Sequence, residues 1–509
     1  MPSHIFSAAI YGPEAQIITV ETDIAHGLHC FTIVGLPDKS VDESRDRINS
    51  AVKNTGFHHP KKTNQKIIVN LAPASLRKEG SAYDLPIAIS YLIASEQIAG
   101  DTGSCAFAGE LALGGELRPI RGALAIASAA KKQGLRALVV PAENAAEASL
   151  VSGIAVIPAR TLLDCVDYVT KGTLPPAAQE QRAPKEDAKD GDDDAIDFSH
   201  IHGQEHAKRA LVIAAAGGHN ILMSGPPGSG KTLLAKALVS ILPELSEQEM
   251  IETTQMHSIA GELEPGFWAV RERPFRAPHH SASHIALVGG GAHASLGEVT
   301  LAHNGVLFLD EFPEFQKNVL EALRQPLEDG SITVARAYGT FSYPARFMLV
   351  ATKNPCPCGY YQSTQKECSC TMANILRYQK KVSGPIADRI DMHIEVPAVE
   401  HAKLAGAALQ GESEQARERI KQARALQAAR FAESRITLNA HLNVRQIKKH
   451  CLLDNASEAM LSQAMATLKL SARVYHKIIK IARTIADLEQ SEHIEPHHIA
   501  ESLQYQARG

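Results

Sequence analysis

The sequence Gly225-Pro-Pro-Gly-Ser-Gly-Lys-Thr232 constrains the fold more than any other part of the chain. An apolar run at 220–224 precedes it, and an apolar helical pattern at 231–242 follows it. Glycines let backbone N–H groups turn inward around phosphate groups, and the following helix directs the positive end of its dipole at them. We therefore predict a strand, a phosphate-binding loop and a helix within an α/β domain.

This loop has the full G-x-x-x-x-G-K-[ST] spacing of an ATP-binding site. Lys231 is predicted to reach the β- and γ-phosphates, and the Thr232 hydroxyl to ligate Mg²⁺. The predicted nucleotide-binding residues of the loop are Gly225, Pro226, Pro227, Gly228, Ser229, Gly230, Lys231 and Thr232.

A second apolar run, 305–309, ends in the adjacent acids Asp310 and Glu311. An ATPase site needs one carboxylate for the Mg²⁺ shell and one for the attacking water. We assign the first role to Asp310 and the second to Glu311. The alternative, a solvated turn with two acids, does not explain their position after a complete phosphate loop.

A third apolar run, 345–352, is followed by Lys353 and Asn354. A polar residue at that strand end would lie beside the γ-phosphate. Asn354 is therefore the predicted sensor of this phosphate, and the alternative is an Asn that only serves the turn before Pro355.

The chain of 509 residues is 44% hydrophobic and 21% charged, with a formal net charge of −4. These values exclude a disordered or collagen-like chain. No stretch approaches the roughly 18 apolar residues that span a bilayer, and the N-terminus lacks the pattern of a signal peptide. We expect a cytoplasmic protein with no membrane partner. A net charge of −4 gives no basic surface over the whole protein. If the chain binds DNA, we expect its basic groups to lie in the narrow pore of a ring.

The segment 174–195 is rich in Pro, Ala and charge, and it reads as a solvated linker. Strand and helix patterns alternate before it, a second α/β block follows it, and the chain is mostly helical after about residue 400. The predicted domains are 1–173, the linker 174–195, 196–397 and a helical domain 398–509.

Two C-x-C pairs contain four of the eight cysteines: Cys356, Cys358, Cys368 and Cys370. Their clustering excludes a disulfide framework spread over the chain. Four thiolates at this spacing could close a tetrahedral structural Zn²⁺ site with no open position for catalysis. Because the usual pair is C-x₂₋₄-C, unliganded or redox-active thiols remain the alternative.

Four blocks of sequence, in order, resemble the AAA+ ATPases of the magnesium-chelatase-like group, and more closely the ComM/YifB-type proteins of bacteria. The blocks are FTIVGLPD with VDESR (31–45), VNLAP with KEGSAYDLP (69–86), RPFRAPHH leading to GGG and LAHN (273–304), and SGPIADRIDMH (383–393). The resemblance covers nearly the whole chain. It implies a ring, usually a hexamer, with ATP bound between subunits.

The same resemblance assigns roles to two arginines. Arg389 matches the position of the finger that touches the ATP of the neighbouring subunit, where a cation stabilises charge on the transferring phosphoryl group. Arg473 matches the second sensor in the helical lid, 398–509. Without the resemblance, either arginine would be read as part of a surface salt bridge.

The N-terminal domain resembles the proteolytic domain of Lon proteases, a Ser–Lys hydrolase fold, but it departs from the catalytic pattern. Asp84 stands near the position of the nucleophilic Ser, and Ile126 near that of the Lys. Ser81 has no Lys at the matching partner position, whereas this chemistry requires both groups. We therefore expect a domain without protease activity that serves assembly or substrate engagement.

The segment 327–344 has the pattern of a hairpin, with its turn at 337–340. In the family such loops point into the central channel. Arg336 and Tyr338 offer a cation for phosphate and a ring for base stacking, so we predict that they bind DNA. The alternative is an ordinary exposed hairpin.

The pair His279 and His280 lacks a third metal ligand, and we expect packing or interface roles for it.

These observations favour an ATP-driven hexameric DNA translocase or helicase. The resemblance implies branch migration during homologous recombination in natural transformation, with single-stranded or branched DNA and recombination proteins as partners. A metal-chelatase-type ATPase subunit that acts on a partner complex is the alternative, because the ATPase core is shared. An ATP-dependent protease is disfavoured by the missing Ser–Lys pair.

Overall fold

The computed structural model describes residues 3–62, 64–177, 196–263, 266–291, 295–336, 339–363, 366–382, 384–398, 411–432, 434 and 436–506, with backbone only at 336, 384 and 385. The strands are β1 (Ser3–Tyr11), β2 (Glu14–His26), β3 (Cys30–Val34), β4 (Gln65–Ala72), β5 (Cys105–Phe107), β6 (Glu110–Leu111), β7 (Leu117–Arg118), β8 (Ala137–Pro141), β9 (Ala155–Ala159), β10 (Ile221–Ser224), β11 (Phe275–Arg276), β12 (Gly289–Gly290), β13 (Ser295–Leu296), β14 (Val306–Leu309), β15 (Ser331–Arg336), β16 (Gly339–Pro344), β17 (Met348–Lys353) and β18 (Met392–Glu395).

The helices are α1 (Lys39–Asn54), α2 (Asp84–Ala94), α3 (Ala123–Lys132), α4 (Ala145–Ala148), α5 (Leu162–Lys171), α6 (Glu205–Gly217), α7 (Lys231–Ile241), α8 (Glu247–Ala260), α9 (His284–Val288), α10 (Glu298–Leu301), α11 (Lys317–Ala322), α12 (Arg324–Asp329), α13 (Met372–Gln379), α14 (Gly384–Ala387), α15 (Glu412–Arg430), α16 (Val444–His450), α17 (Asn455–Leu468), α18 (Ala472–Leu488) and α19 (Pro496–Gln504). Among the described residues, no helix has the length and apolarity that crossing a membrane requires.

The chain is a mixed α/β protein, as its sequence predicts, and its described residues form two compact units. The first contains described residues of 3–177 together with Ser246–Val270 and Thr333–Tyr343. The second contains described residues of 196–245, Arg271–Ile332 and 344–506. Neither unit is continuous in sequence. The predicted linker 174–195 is described only as far as residue 177, and the predicted domain limits stay a prediction.

The first unit is built on a seven-stranded mixed sheet with the order β3-β4-β2-β1-β5-β8-β9. Strand β1 is antiparallel to β2, and β2 to β4, while the other neighbours are parallel. Alternate residues of β1 join different apolar clusters, Ile5 and Ala9 in one and Ala8 in the other. This alternation is expected for a strand whose two faces are both covered.

Two segments from the middle of the chain complete this unit. The Ser258 hydroxyl of α8 accepts a hydrogen bond from the Gly122 N–H at 2.9 Å, at the start of α3, and contacts the buried Glu147 carboxylate. In the hairpin β15–β16, the Phe341 ring packs edge-on against Tyr11, with 4.7 Å between ring centroids. Motif order along the sequence did not predict either association.

The second unit is built on a five-stranded sheet with the order β11-β14-β17-β10-β18, in which all neighbours are parallel. Helices of the C-terminal part share its apolar core, so that Ile420 of α15 and Ile481 of α18 belong to the same cluster as Ile221 of β10. A separate cluster around Phe431 and Ile478 holds the C-terminal helices together.

The predicted strands and helix around the phosphate loop agree with the structure within a few residues, but the predicted hairpin needs correction. The hairpin begins at Ser331 rather than at 327, because α12 continues to Asp329 and ends at Gly330 with a left-handed φ of +63°. Within the helical region after residue 400, α17 and α18 are separate helices, since Lys469 ends the first with a φ of +49°.

Candidate functional site

The predicted site residues follow three neighbouring parallel strands at the point where each strand ends. Ser224 of β10 is opposite Lys353 of β17, and Leu309 of β14 is opposite Ala351. Because the carboxyl ends of parallel strands meet at one edge of a sheet, their following loops lie together there. The loops enclose a cleft of about 420 Å³. The cleft is lined by Pro227, Gly228, Ser229, Gly230, Lys231, Thr232, Leu233, Asp310, Glu311, Thr352, Lys353 and Asn354.

Two glycines of the loop are required by its geometry. Gly230 begins α7 with a left-handed φ of +87°, which turns the chain from the loop into the helix. A Cβ atom at Gly225 would lie 2.1 Å from the carbonyl oxygen of Val396, so no side chain fits where the chain passes β18. The helix that follows points its N-terminus into the cleft, as an anion site requires.

Lys231 is 9% exposed, and its amine donates to the carbonyl oxygens of Gly225 at 2.9 Å and Pro226 at 2.8 Å. The side-chain oxygen of Asn354 accepts from the same amine at 3.3 Å. Burial lowers the pKa of Lys231, and the nearby Asp310 and Glu311 carboxylates oppose that shift. The structure therefore brings Asn354 to the lysine of the loop.

Thr232 and Asp310 meet at the other side of the cleft. The Thr232 hydroxyl donates to Asp310 Oδ2 at 3.2 Å, and Asp310 Oδ1 contacts the Thr352 hydroxyl. Hydroxyl and carboxylate oxygens are ligands that Mg²⁺ accepts, together with waters and substrate phosphates. These two residues would suit the ligand shell of a magnesium ion, which would supply positive charge for phosphate groups.

Glu311 lies beside Asp310 with its backbone fixed in an uncommon conformation. Its φ is +52°, and its N–H lies 3.0 Å from Asp310 Oδ1 and 3.2 Å from Thr352 Oγ1. Non-glycine residues with positive φ cluster at functional sites, where the surroundings hold them. The side chain is 53% exposed, and its Oε2 lies 3.4 Å from His280 Nδ1.

The two predicted arginines lie elsewhere in the second unit. The described residues that line the cleft include neither Arg389 nor Arg473. The Arg389 side chain is 16% exposed and pairs with Glu328. Arg473 is 67% exposed and donates to Asp388 at 3.1 Å. Neither arginine is therefore placed against the phosphate loop of its own chain.

The four clustered cysteines converge, with sulfur atoms within 4.8 Å of one another. The Cys356 sulfur lies 3.3 Å from that of Cys358 and 3.7 Å from that of Cys368, and Cys358 and Cys368 are 3.6 Å apart. Backbone N–H bonds, that of Tyr360 first, lower the pKa of the Cys358 thiol to about 5, while desolvation and the neighbouring cysteine sulfurs raise the pKa values of Cys368 and Cys370. A thiolate at neutral pH is the form that binds metal.

The cysteine loop also touches the phosphate loop. Gly359 stands between the two C-x-C pairs with a φ of +85°, and a Cβ there would lie 2.4 Å from the Pro227 Cδ. The loop that follows Asn354 therefore packs directly on the loop that would hold phosphate.

A second group of metal-binding residue types, Glu489, His497 and His498, has a structural explanation. The buried His498 ring accepts from the Glu495 N–H at 2.9 Å through Nδ1, and its Nε2 lies 3.0 Å from Glu489 Oε2. Both ring nitrogens are thus used by hydrogen bonds within the fold, and the group resembles a helix cap rather than a metal centre.

In the N-terminal unit, the residues near the Lon-like positions make structural contacts. Asp84 is fully buried and accepts from the Arg47 guanidinium at 2.6 Å. The Ser81 hydroxyl contacts Glu110, and the Lys78 amine donates to the Gly35 carbonyl at 3.1 Å, while burial lowers the Lys78 pKa to about 8. No hydrogen bond joins Ser81 to a lysine among the described residues.

Ile126 is 1% exposed and belongs to the apolar core of this unit. It therefore fills space between α3 and the sheet. In the hairpin, Arg336 ends β15, while its side chain and the whole of Tyr338 lie outside the described residues.

Three family profiles match the chain in order. "Subunit ChlI of Mg-chelatase" matches residues 20–144, "Magnesium chelatase, subunit ChlI" 197–404, and "Magnesium chelatase, subunit ChlI C-terminal" 410–506. "Competence protein ComM" of Haemophilus influenzae is 46% identical over 506 residues, which are 99% of this chain and 97% of that protein. The chain belongs to the ComM/YifB-type magnesium-chelatase-like AAA+ ATPases.

Other members of the ComM/YifB type and more distant relatives agree with this assignment. YifB of Escherichia coli K12 is 42% identical over 99% of this chain and 97% of that protein. The magnesium-chelatase 38 kDa subunit of Rhodobacter capsulatus is 29% identical over 31% of this chain and 50% of that protein. The predicted resemblance to the ComM/YifB-type proteins is confirmed.

The sequence did not predict two residues at this ComM/YifB-type site, Thr352, which lines the cleft, and His280, which contacts Glu311. Thr352 contacts Asp310 and the Glu311 backbone, although it precedes Asn354 as an ordinary member of β17. His280 approaches Glu311 from a segment distant in sequence. The block that contains His280 was visible in the sequence, but nothing in it indicated the contact.

Proposed function

We propose that this chain is an ATP-driven, hexameric DNA translocase or helicase that promotes branch migration during homologous recombination in natural transformation. The observation that carries the proposal is the 46% identity over nearly the full length to Competence protein ComM. The cleft supports it, because its phosphate loop, Asp310, Glu311 and Asn354 follow strand ends of one sheet, which holds them in fixed positions.

In the proposed ATPase site, the loop 225–232 and Lys231 hold the phosphates. Thr232 and Asp310 would hold Mg²⁺, which neutralises phosphate charge when bound. Glu311 orients the attacking water and accepts its proton, and Asn354 contacts the γ-phosphate. The 3.3 Å contact between Asn354 and the Lys231 amine supports this last role, since both side chains face the same end of the cleft.

The proposal places each ATP between two subunits. Arg389 would reach the ATP of a neighbouring copy, and Arg473, in the proposed helical lid, would respond to nucleotide as a second sensor. The position of Arg389 away from the cleft of its own chain supports action across an interface, whereas Arg473 could act within its own subunit or across the interface.

The N-terminal unit is proposed to have a Lon-like fold without protease activity. The full burial of Asp84 against Arg47 supports this, since a charge pair used for packing is not a nucleophile. Arg336 and Tyr338 of the hairpin are the proposed contacts to single-stranded or branched DNA, and recombination proteins are proposed partners.

A structural Zn²⁺ is proposed for Cys356, Cys358, Cys368 and Cys370. A tetrahedral site with a Zn–S distance of ~2.3 Å has sulfur atoms about 3.8 Å apart. The sulfur–sulfur separations of 3.3, 3.6 and 3.7 Å are close to that value. All four cysteines are free thiols, so each sulfur could bind the ion. Because Gly359 packs on Pro227, such an ion would also fix the phosphate loop.

The zinc proposal predicts about one zinc ion per purified chain, measured by inductively coupled plasma mass spectrometry. Cys356→Ser should weaken zinc binding and lower the melting temperature, because it removes one of the four thiolates and Cys356 is fully buried. Cys30→Ser is the matched control, since Cys30 is exposed and lies outside the cluster. Sub-stoichiometric zinc across careful preparations would contradict the proposal.

The proposed motor predicts ATPase activity stimulated by DNA and ATP-dependent strand displacement from forked or three-stranded substrates. Arg336→Ala should keep ATP binding and lose most of the stimulation, because the cation that holds phosphate is removed. Thr340→Ala, an exposed change in the same hairpin, is the control. An ATPase rate indifferent to DNA with no strand displacement contradicts the motor. Casein degradation would favour a protease instead.

A metal-chelatase-type motor subunit is the second candidate, and the match of 197–404 to the magnesium chelatase profile favours it. The same assay separates the two. ATPase activity that responds to a porphyrin-binding partner complex and not to DNA would support the second candidate.

A further inference from the structure

Glu311 has a fixed backbone and a side chain with few restraints. Hydrogen bonds to Asp310 and Thr352 hold its N–H, and its φ of +52° sets the direction in which the side chain leaves the strand end. The carboxylate itself is 53% exposed. A general base must keep its oxygen within hydrogen-bond reach of the water, so a freely rotating carboxylate at this position would be a poor base.

His280 is the residue that approaches this carboxylate. Its Nδ1 lies 3.4 Å from Glu311 Oε2. The imidazole is held on two sides, by the His279 ring at a centroid distance of 4.1 Å and by the edge of the buried Phe315 at 6.5 Å. His279 is itself fixed, since its Nδ1 lies 2.8 Å from the Ser281 hydroxyl.

We propose that His280 is a positioning residue that holds Oε2 of Glu311, so that Oε1 faces the attacking water. The inference rests on the proposed ATPase function and extends it to the segment that contains His280. This segment thereby sets the orientation of the base. The described residues that line the cleft do not include His280, so we expect nucleotide binding to persist without its side chain.

The test compares steady-state ATPase kinetics of His280→Ala and His280→Gln. His280→Ala should lower kcat roughly 10–100-fold, because the base loses its orientation, and leave KM and the binding of a fluorescent ATP analogue unchanged. His280→Gln keeps an N–H donor, one bond further from the backbone than Nδ1, and should recover part of the rate. His284→Ala, an exposed histidine of the same segment, should behave as wild type.

The Glu311→Gln background separates this inference from the proposed function. There, His280→Ala should cause no further loss, since the group that it positions is gone. If Glu311→Gln hydrolyses ATP normally, the assignment of the base fails. If Glu311→Gln is inactive but His280→Ala keeps its kcat, or if Ala and Gln at 280 are equally impaired, only the role of His280 fails. Loss of nucleotide binding in His280→Ala would equally overturn it, by showing a structural role.

Discussion

Glu311→Gln is expected to bind ATP with wild-type affinity and to hydrolyse it about 10²–10⁴-fold more slowly. The amide has nearly the shape of the carboxylate but cannot accept the proton of the attacking water. Binding should persist, because the groups placed to hold phosphate are Lys231 and the backbone of its loop. Phosphate release measures turnover, and a fluorescent ATP analogue measures binding.

The matched control for this change is Glu314→Gln. Glu314 lies in the same short helical turn after β14, and its carboxylate accepts from Lys381 at 2.8 Å rather than facing the cleft. Its variant should keep normal turnover. A Glu311→Gln protein that hydrolyses ATP within a factor of about two of wild type would remove Glu311 from the reaction and point to another base.

The sequence predicts those parts of this site whose residues lie close together along the chain. The glycines and prolines of Gly225–Thr232 specify a turn locally. Asp310 and Asn354 can be predicted as site residues because an apolar strand precedes each of them. The convergence of their loops follows from the rule that parallel strands end at one edge. The local pattern was thus sufficient for the cleft, although not for every side chain in it.

The contacts that could not be predicted depend on register and on long-range packing. Thr352 reaches Asp310 because β17 and β14 are neighbours in a particular register, which the sequence pattern does not specify. His280 reaches Glu311 through a segment without a regular hydrophobic period. The association of α8 with the start of α3 and with α4, through Ser258, likewise depends on buried polar contacts between elements far apart in sequence.

Arg389→Ala is expected to bind ATP and to lose turnover by about 10³-fold, because the charge on the transferring phosphoryl group would lack its cation. The alternative role for Arg389 is structural, because its side chain forms an ion pair with Glu328. Glu328→Ala breaks the same pair and leaves the arginine in place, so it should retain most of the activity. Equal losses in the two variants would mean that Arg389 supports the fold rather than the reaction.

Mixing inactive variants tests whether Arg389 acts on the neighbouring subunit. Lys231→Ala should be inactive alone, because its own phosphate loop fails, but its Arg389 is intact. Each interface needs Lys231 from one chain and Arg389 from the next, so randomly mixed rings of Lys231→Ala and Arg389→Ala should regain up to about a quarter of the wild-type ATPase rate. A mixture no more active than its components would contradict the proposal that Arg389 completes the ATP site of the neighbouring chain.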